Sequence, residues 1–176
     1  MMLNKIILWS SFLGPWLTLF FMKKDAIKRY MPVTVFTALM ATITSEMAYT
    51  FSWWKYTDAI VPWGYMTNPS FVYGLFSVLT IWIFYFTYRK FWLYLTVNIL
   101  VNAFQWFFLI RWTFVAWGIV EQGDLTPFQT FLLSTVQSVV IYGYQKWQEG
   151  IFRKEEAPES DRELHMKLPE FRSKAK

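Results

Sequence analysis

The hydrophobic positions of this chain gather into five long uncharged or nearly uncharged runs, divided by short polar breaks. Phe91–Ile110 is the most complete: twenty residues without a charge, set between Arg89–Lys90 and Arg111. At about 1.5 Å per residue a helix of that length covers roughly 30 Å, the hydrocarbon thickness of a bilayer. Four further runs share the character: Ile6–Met22, Met31–Trp53, Ser70–Tyr88 and Pro127–Gln145. Together they predict an all-α, polytopic membrane protein of five transmembrane helices.

Local signals set the expected boundaries. Ile6–Met22 ends directly in Lys23–Lys24 with no small-residue cleavage site, so it reads as a retained span, kinked at Pro15. The turn Lys23–Tyr30 suits a helical hairpin, and Pro32 is expected to open the second span, where its missing N–H costs nothing. Asn68–Pro69 reads as an N-cap followed by proline in the first helical position. Thr126 and Gln129 have the spacing of a capping box ahead of the fifth span. A single helix from Phe91 to Val120 would overrun the core at about 45 Å, so Trp112–Val120 is expected to lie along the interface or to extend the helix beyond it.

Composition agrees with this division. Only 16% of the residues are charged and 55% are hydrophobic, against about 25% charged in ordinary soluble domains. Eight of the 17 Lys/Arg and seven of the 12 Asp/Glu lie within Lys146–Lys176. Residues 1–147 therefore form the transmembrane domain, and 148–176 form a charged cytosolic tail expected to be disordered or only transiently helical. The aromatic excess, including Trp53–Trp54 and Tyr56, fits interfacial belts. The connections carry four, one, two and one Lys/Arg in chain order, the last beside Glu121 and Asp124. That alternation predicts an outside N-terminus and a cytoplasmic C-terminus.

The formal charge of +5 sits in loops and tail with no basic stripe, so nucleic-acid binding is not expected. There is no cysteine, and His165, the single histidine, lies in the polar tail. No metal site and no cofactor is expected.

The candidate chemistry is intramembrane. Asn98, Asn102 and Gln105 are spaced four and three apart and share one helical face, which should point into the bundle. It serves either interhelical hydrogen bonding or a polar route for a substrate or ion. Glu46 is the only acid inside an apolar run. With Thr42 and Thr50 four residues to either side and a strip of Ala38, Ala41, Thr42 and Ser45, it is expected to face a neighbouring helix. Two partners compete. Glu46 accepts hydrogen bonds from the amide face as a neutral carboxyl, or it pairs with Arg111, a possible ion-pair partner. Arg111 lies nine residues after Asn102, on the opposite side of that helix, so the two options exclude each other.

The sequence Met31–Pro32–Val33–Thr34, then Ser45–Glu46, Trp53–Trp54, Gly74 and the basic turn before the aromatic fourth span resembles small uncharacterised multi-pass membrane proteins of spore-forming Gram-positive bacteria. The likeness covers about Leu3–Val120. It implies a place in the cell membrane and no activity.

No nucleophile elbow, HExxH, phosphate-binding glycine loop or carboxylate cluster occurs. The leading expectation is a non-enzymatic accessory, sensory or assembly protein that meets the lipid bilayer and packs against itself or another membrane protein. The alternative is a small oligomeric transporter or channel component that uses Glu46 and the polar face of the fourth helix. A lipid-modifying enzyme is less favoured, for want of opposed titratable groups.

Overall fold

The computed structural model describes residues 2–155, apart from the side chains of residues 111–113 and 151–155. It is mostly helical. Helix α1 spans Met2–Thr18 and closes in a 3₁₀ turn, Leu19–Phe21; α2 spans Lys24–Thr50. A short strand β1 (Trp54–Tyr56) precedes a loop and a π-helical segment, Ser70–Phe76, which runs on into α3 (Ser77–Thr87). Helix α4 (Phe91–Ala103) continues as a π-helix, Phe104–Val115, and strand β2 (Val120–Gln122) precedes α5 (Pro127–Glu155). Among the described residues, three helices are long and apolar enough to cross a membrane: Lys24–Thr50, Ser70–Thr87 and Phe91–Ile110.

The chain divides into two compact units, residues 1–141 and 142–176. In the first, the distribution of side chains along the last two helices is the reverse of a water-soluble protein's. Along α4 the buried positions are Tyr94, Asn98 and Asn102, whereas Trp92 and Leu100, and Phe104 and Phe108 of the π-helix that continues it, are exposed. Along α5 Thr130 and Ser138 are buried while Phe128, Leu132 and Val136 face outward. Water would penalise that arrangement. Hydrocarbon favours it, because embedded polar groups must satisfy one another.

Three expected boundaries move. Helix α2 begins at Lys24, so Pro32 lies inside it instead of opening it, and most of the expected turn is helical. A membrane helix tolerates an interior proline where neighbouring groups take up the freed carbonyl. Trp53–Tyr56 and Val120–Gln122 do not simply line the interface. They pair antiparallel, with Trp54 opposite Gln122, Lys55 opposite Glu121 and Tyr56 opposite Val120. Finally, α5 continues to Glu155, past the expected end at Gln145 and into the segment expected to be disordered. In this second unit Gln145 donates to the Glu149 carboxylate at 3.0 Å, an i,i+4 bond that extends the helix. The rest of the expected disordered tail, 156–176, lies outside the described residues.

Both strands start from the same kind of helix ending. After α2, Trp53 N–H donates to Ala48 C=O at 2.8 Å and Ser52 N–H to Tyr49 C=O at 3.3 Å, with Ser52 at φ 56°. After the α4 π-segment, Ile119 N–H donates to Phe114 C=O at 2.8 Å and Gly118 N–H to Val115 C=O at 3.1 Å, with Gly118 at φ 62°. These are Schellman endings, with a left-handed residue that turns the chain back across the helix end. Each reverses the backbone, and the two exits meet as the ribbon. Trp54 and Val120 then close over Leu8, Ala48, Phe71 and Phe114 in one apolar cluster.

The N-terminus is tied to the ribbon end. Lys5 pairs with Asp58 at 2.7 Å and donates to the Ala59 carbonyl, and Asn4 donates to the Trp117 carbonyl at 3.2 Å. The opposite end is marked by Arg29, whose guanidinium lies 4.9 Å from the Tyr88 ring centre and 5.7 Å from that of Tyr30. Between the ends, α1 lies close against the π-segment before α3. The bare Cα of Gly74 admits the α1 backbone at Ser11 and Phe12.

A candidate functional site between four helices

The two N-terminal signals read from sequence do position the helices of the site. Asn68 is fully buried; its Oδ1 accepts from Ser70 N–H at 3.1 Å and its Nδ2 donates to Asp58 C=O at 3.0 Å. At α5, Thr126 N–H donates to Gln129 Oε1 at 2.9 Å and Gln129 N–H to Thr126 Oγ1 at 3.3 Å, a reciprocal capping box. These caps fix where α5 and the π-segment leading into α3 start, and therefore which side chains reach the centre.

What they reach is a cavity of about 110 Å³ bounded by α2, α3, α4 and α5. Asn98, Asn102 and Gln105 all line it, together with Gln137 and Ser138 from α5 and Thr37 from α2. Asn98 and Asn102 are only 8% and 9% exposed. The fourth-span polar face therefore turns inward.

The hydrogen bonds of this face are incompletely filled. Asn98 Nδ2 donates to the Tyr94 carbonyl at 2.9 Å, and Asn102 Nδ2 reaches Ser138 Oγ at 3.4 Å. Among the described residues, neither carboxamide oxygen accepts a bond and the Gln105 side chain makes none. The hydroxyls behave differently. Thr37, Thr80, Ser134 and Ser138 donate to carbonyls of their own helices, at 2.8–3.0 Å. They are satisfied without a guest. Gln137 donates to Thr44 Oγ1, which ties α5 to α2.

Aromatic layers flank the cavity. Phe84 and Tyr94, which line one end, lie 4.9 Å apart between ring centres, and Phe84 also stacks on Tyr30 at 5.8 Å. Toward the ribbon, Phe76 and Gln105 are shared with a smaller void of about 50 Å³ that also touches Trp54, Phe71 and Phe114. Phe71 and Phe114 are 4.8 Å apart, and Trp54 and Trp106 5.4 Å. The π-helical turns lie at this end, and π-bulges concentrate at functional sites because they widen a helix and re-aim its side chains.

Glu46 does not join the cluster. It is exposed and does not line the cavity, and its neighbours explain why. Ser45 and Ala48 are the buried positions, which turns Glu46 outward onto the stripe of Val35, Leu39 and Ile43. The flanking threonines are not partners either: Thr42 donates to Ala38 C=O and Thr50 to Glu46 C=O, both at 2.8 Å. The option of Glu46 hydrogen-bonded to the amide face is thereby corrected. The Arg111 side chain lies outside the described residues, so the second option has no geometry to report.

Two ionisable groups near the ribbon were not singled out from sequence. Burial pushes the Tyr56 phenol up to about 12, opposed by hydrogen bonds with the Ser45 and Trp54 side chains. At Asp58 burial acts upward as well. The hydrogen bond and charge of Lys5, with help from Asn4 and the Ala59 backbone, outweigh it and hold the carboxyl below its ordinary range. Among the described residues no three His, Cys, Asp or Glu side chains come together as a metal set would require.

Helices of this length and apolar character, packed with the α4 amides inward, support a helical membrane protein. No protein-family model matches the chain, and neither a curated protein nor a solved structure is significantly similar to it.

Proposed function

We propose that the chain is a five-span integral protein of the cell membrane, N-terminus outside and C-terminus cytoplasmic, acting as a non-enzymatic accessory that docks a helix of another membrane protein. Charge placement supports the orientation. Lys23, Lys24, Lys28, Arg29, Arg89 and Lys90 cluster at one end with Asp25, whereas the ribbon end sets Lys5 and Lys55 against Asp58, Glu121 and Asp124. Cytoplasmic loops carry that excess of Lys and Arg.

The observation that carries the docking role is Glu46 on the outward stripe of α2. A carboxyl directed at hydrocarbon costs about 2.5–3.5 kcal/mol at mid-bilayer and less toward the interface. Val35, Leu39 and Ile43 offer it nothing. A partner helix with a Lys, Arg or amide side chain at the same depth offsets the cost and sets the register. Photo-crosslinking from Leu39 or Ile43 in the native membrane tests this. A discrete adduct is expected that Glu46→Gln retains and Glu46→Leu loses, while the purified Glu46→Leu chain melts no lower than wild type. Lipid adducts alone, or adducts indifferent to Glu46→Leu, contradict the docking role, and an adduct of twice the chain's mass replaces the partner by a second copy.

The cavity favours a second reading, a small oligomeric transporter component. It requires the amide face and not Glu46.

A further inference from the structure

We infer that the cavity between α2, α3, α4 and α5 is a binding site for a small uncharged polyol. The inference rests on the cavity and its amides, independently of the docking role of Glu46.

Charge comes first. No Lys, Arg, His, Asp or Glu lines the space. An ion entering it would lose its hydration without meeting a countercharge, a cost of several kcal/mol. The occupant is therefore neutral.

Hydrogen bonding comes second. Asn98 and Asn102 are more than nine-tenths buried, and each leaves its carboxamide oxygen without a donor; Gln105 leaves both ends of its amide unused. Buried amides in this state are expensive unless something fills them. The three vacancies lie along one helix face, four and three residues apart, over about 10 Å. Three carboxamide oxygens are open, and so are one N–H each of Asn98 and Asn102 and both of Gln105, so the occupant must present donors and acceptors together in a row. Successive hydroxyls meet both needs, whereas a single amide or alcohol does not.

Shape comes third. Opposite the amides stand Met40, Phe76, Leu79 and Ile83. A polar edge facing an apolar wall is the pattern of a site for a small organic molecule, whose CH groups need somewhere dry to lie. The 110 Å³ is several times the minimum of about 10–15 Å³ that a single water requires. A polyol of three or four carbons fits that space. Waters alone would satisfy the amides and leave the apolar wall without a role.

The test uses the full chain in lipid nanodiscs and radiolabelled glycerol and erythritol in equilibrium binding. Saturable binding of at least one, close to one molecule per chain, is expected. Gln105→Leu should weaken it at least tenfold without lowering the melting temperature, because Gln105 makes no internal hydrogen bond to lose. Asn102→Leu should weaken binding as much, with a lower melting temperature because its bond to Ser138 is lost, and Leu100→Ala, on the outward face, should leave binding unchanged. Acetate and ethanolammonium should not compete. Absence of saturable binding by either polyol means a cavity filled by water only, and overturns the inference. So does binding that survives both Gln105→Leu and Asn102→Leu, or competition by either ion. Crosslinking from α2 reads the docking role separately, so each proposal can fail alone.

Discussion

The Tyr94 hydroxyl of α4 donates to the main-chain carbonyl of Ser138 in α5 at 2.9 Å, across 44 positions of sequence. Tyr94 is 2% exposed, and its ring also packs on Phe84 of α3. One side chain thus joins three helices at the end of the cavity. Tyr94→Phe keeps the ring and removes only the donor. Hydrogen bonds between membrane helices average about 0.6 kcal/mol and reach about 1.7. Thermal unfolding in detergent should fall by a few degrees for Tyr94→Phe, and by clearly more for Tyr94→Ala, which also empties the aromatic layer.

Gly74 carries the close approach of α1. A Cβ there would sit 2.7 Å from the Phe12 Cα and closer still to the Ser11 carbonyl, and backbone cannot yield as a flexible side chain can. Gly74→Ala should cost about 1–3 kcal/mol through overpacking, measured as a lower unfolding temperature. It should also free Trp16, whose indole donates to the Tyr73 carbonyl at 3.0 Å, as a change in tryptophan emission.

At the end of α2, Ser52 occupies the left-handed region with φ 56°. Glycine adopts that conformation without the Cβ penalty. Ser52→Gly should therefore stabilise the chain by about 0.5–1 kcal/mol, whereas Ser52→Val should destabilise it and loosen the ribbon. Unfolding curves of the two variants should fall on opposite sides of wild type.

The Lys5–Asp58 pair gives the first helix a pH dependence. Asp58 titrates below its ordinary value of 3.8 when folded. The pair's contribution is then complete above that value and is lost as pH falls through the lower folded value. Lys5 is 45% exposed, so the effect is held to about 1 kcal/mol or less by solvent screening. Tyr56 works in the other direction. Its pKa is raised from 10.0 to about 12, so its contribution is present below pH 10 and disappears as pH rises through the folded value. Melting temperature should be level between about pH 5 and 9 with respect to both groups, and Asp58→Asn should remove the acid-side part of the decline.

What the residues disclosed in advance depended on how far apart the interacting groups lie. The Thr126–Gln129 box and the Asn68 cap act within three residues, so their spacing names them. The inward amide face of α4 was legible because a period of four and three survives any packing. The environment of Glu46 is not legible in the sequence, because the spacing of Thr42 and Thr50 mimics a continuous polar face. Their hydroxyls bond their own helix and need no neighbour, and the buried Ser45 and Ala48 set the rotation of α2. The ribbon gave no signal. Its strands are three residues long, about 65 positions apart, and rest on two helix endings that only the folded backbone displays.

The central claim is that hydrocarbon surrounds the bundle, with the ribbon end outside and the basic end inside the cell. Because the chain contains no cysteine, single substitutions can report on each end. Glu121→Cys and Lys24→Cys should be treated in intact cells with a maleimide that cannot cross membranes. Labelling of Glu121→Cys at once, and of Lys24→Cys only after the cells are opened, is the expected result. Labelling of both in intact cells, or the reverse order, would contradict it.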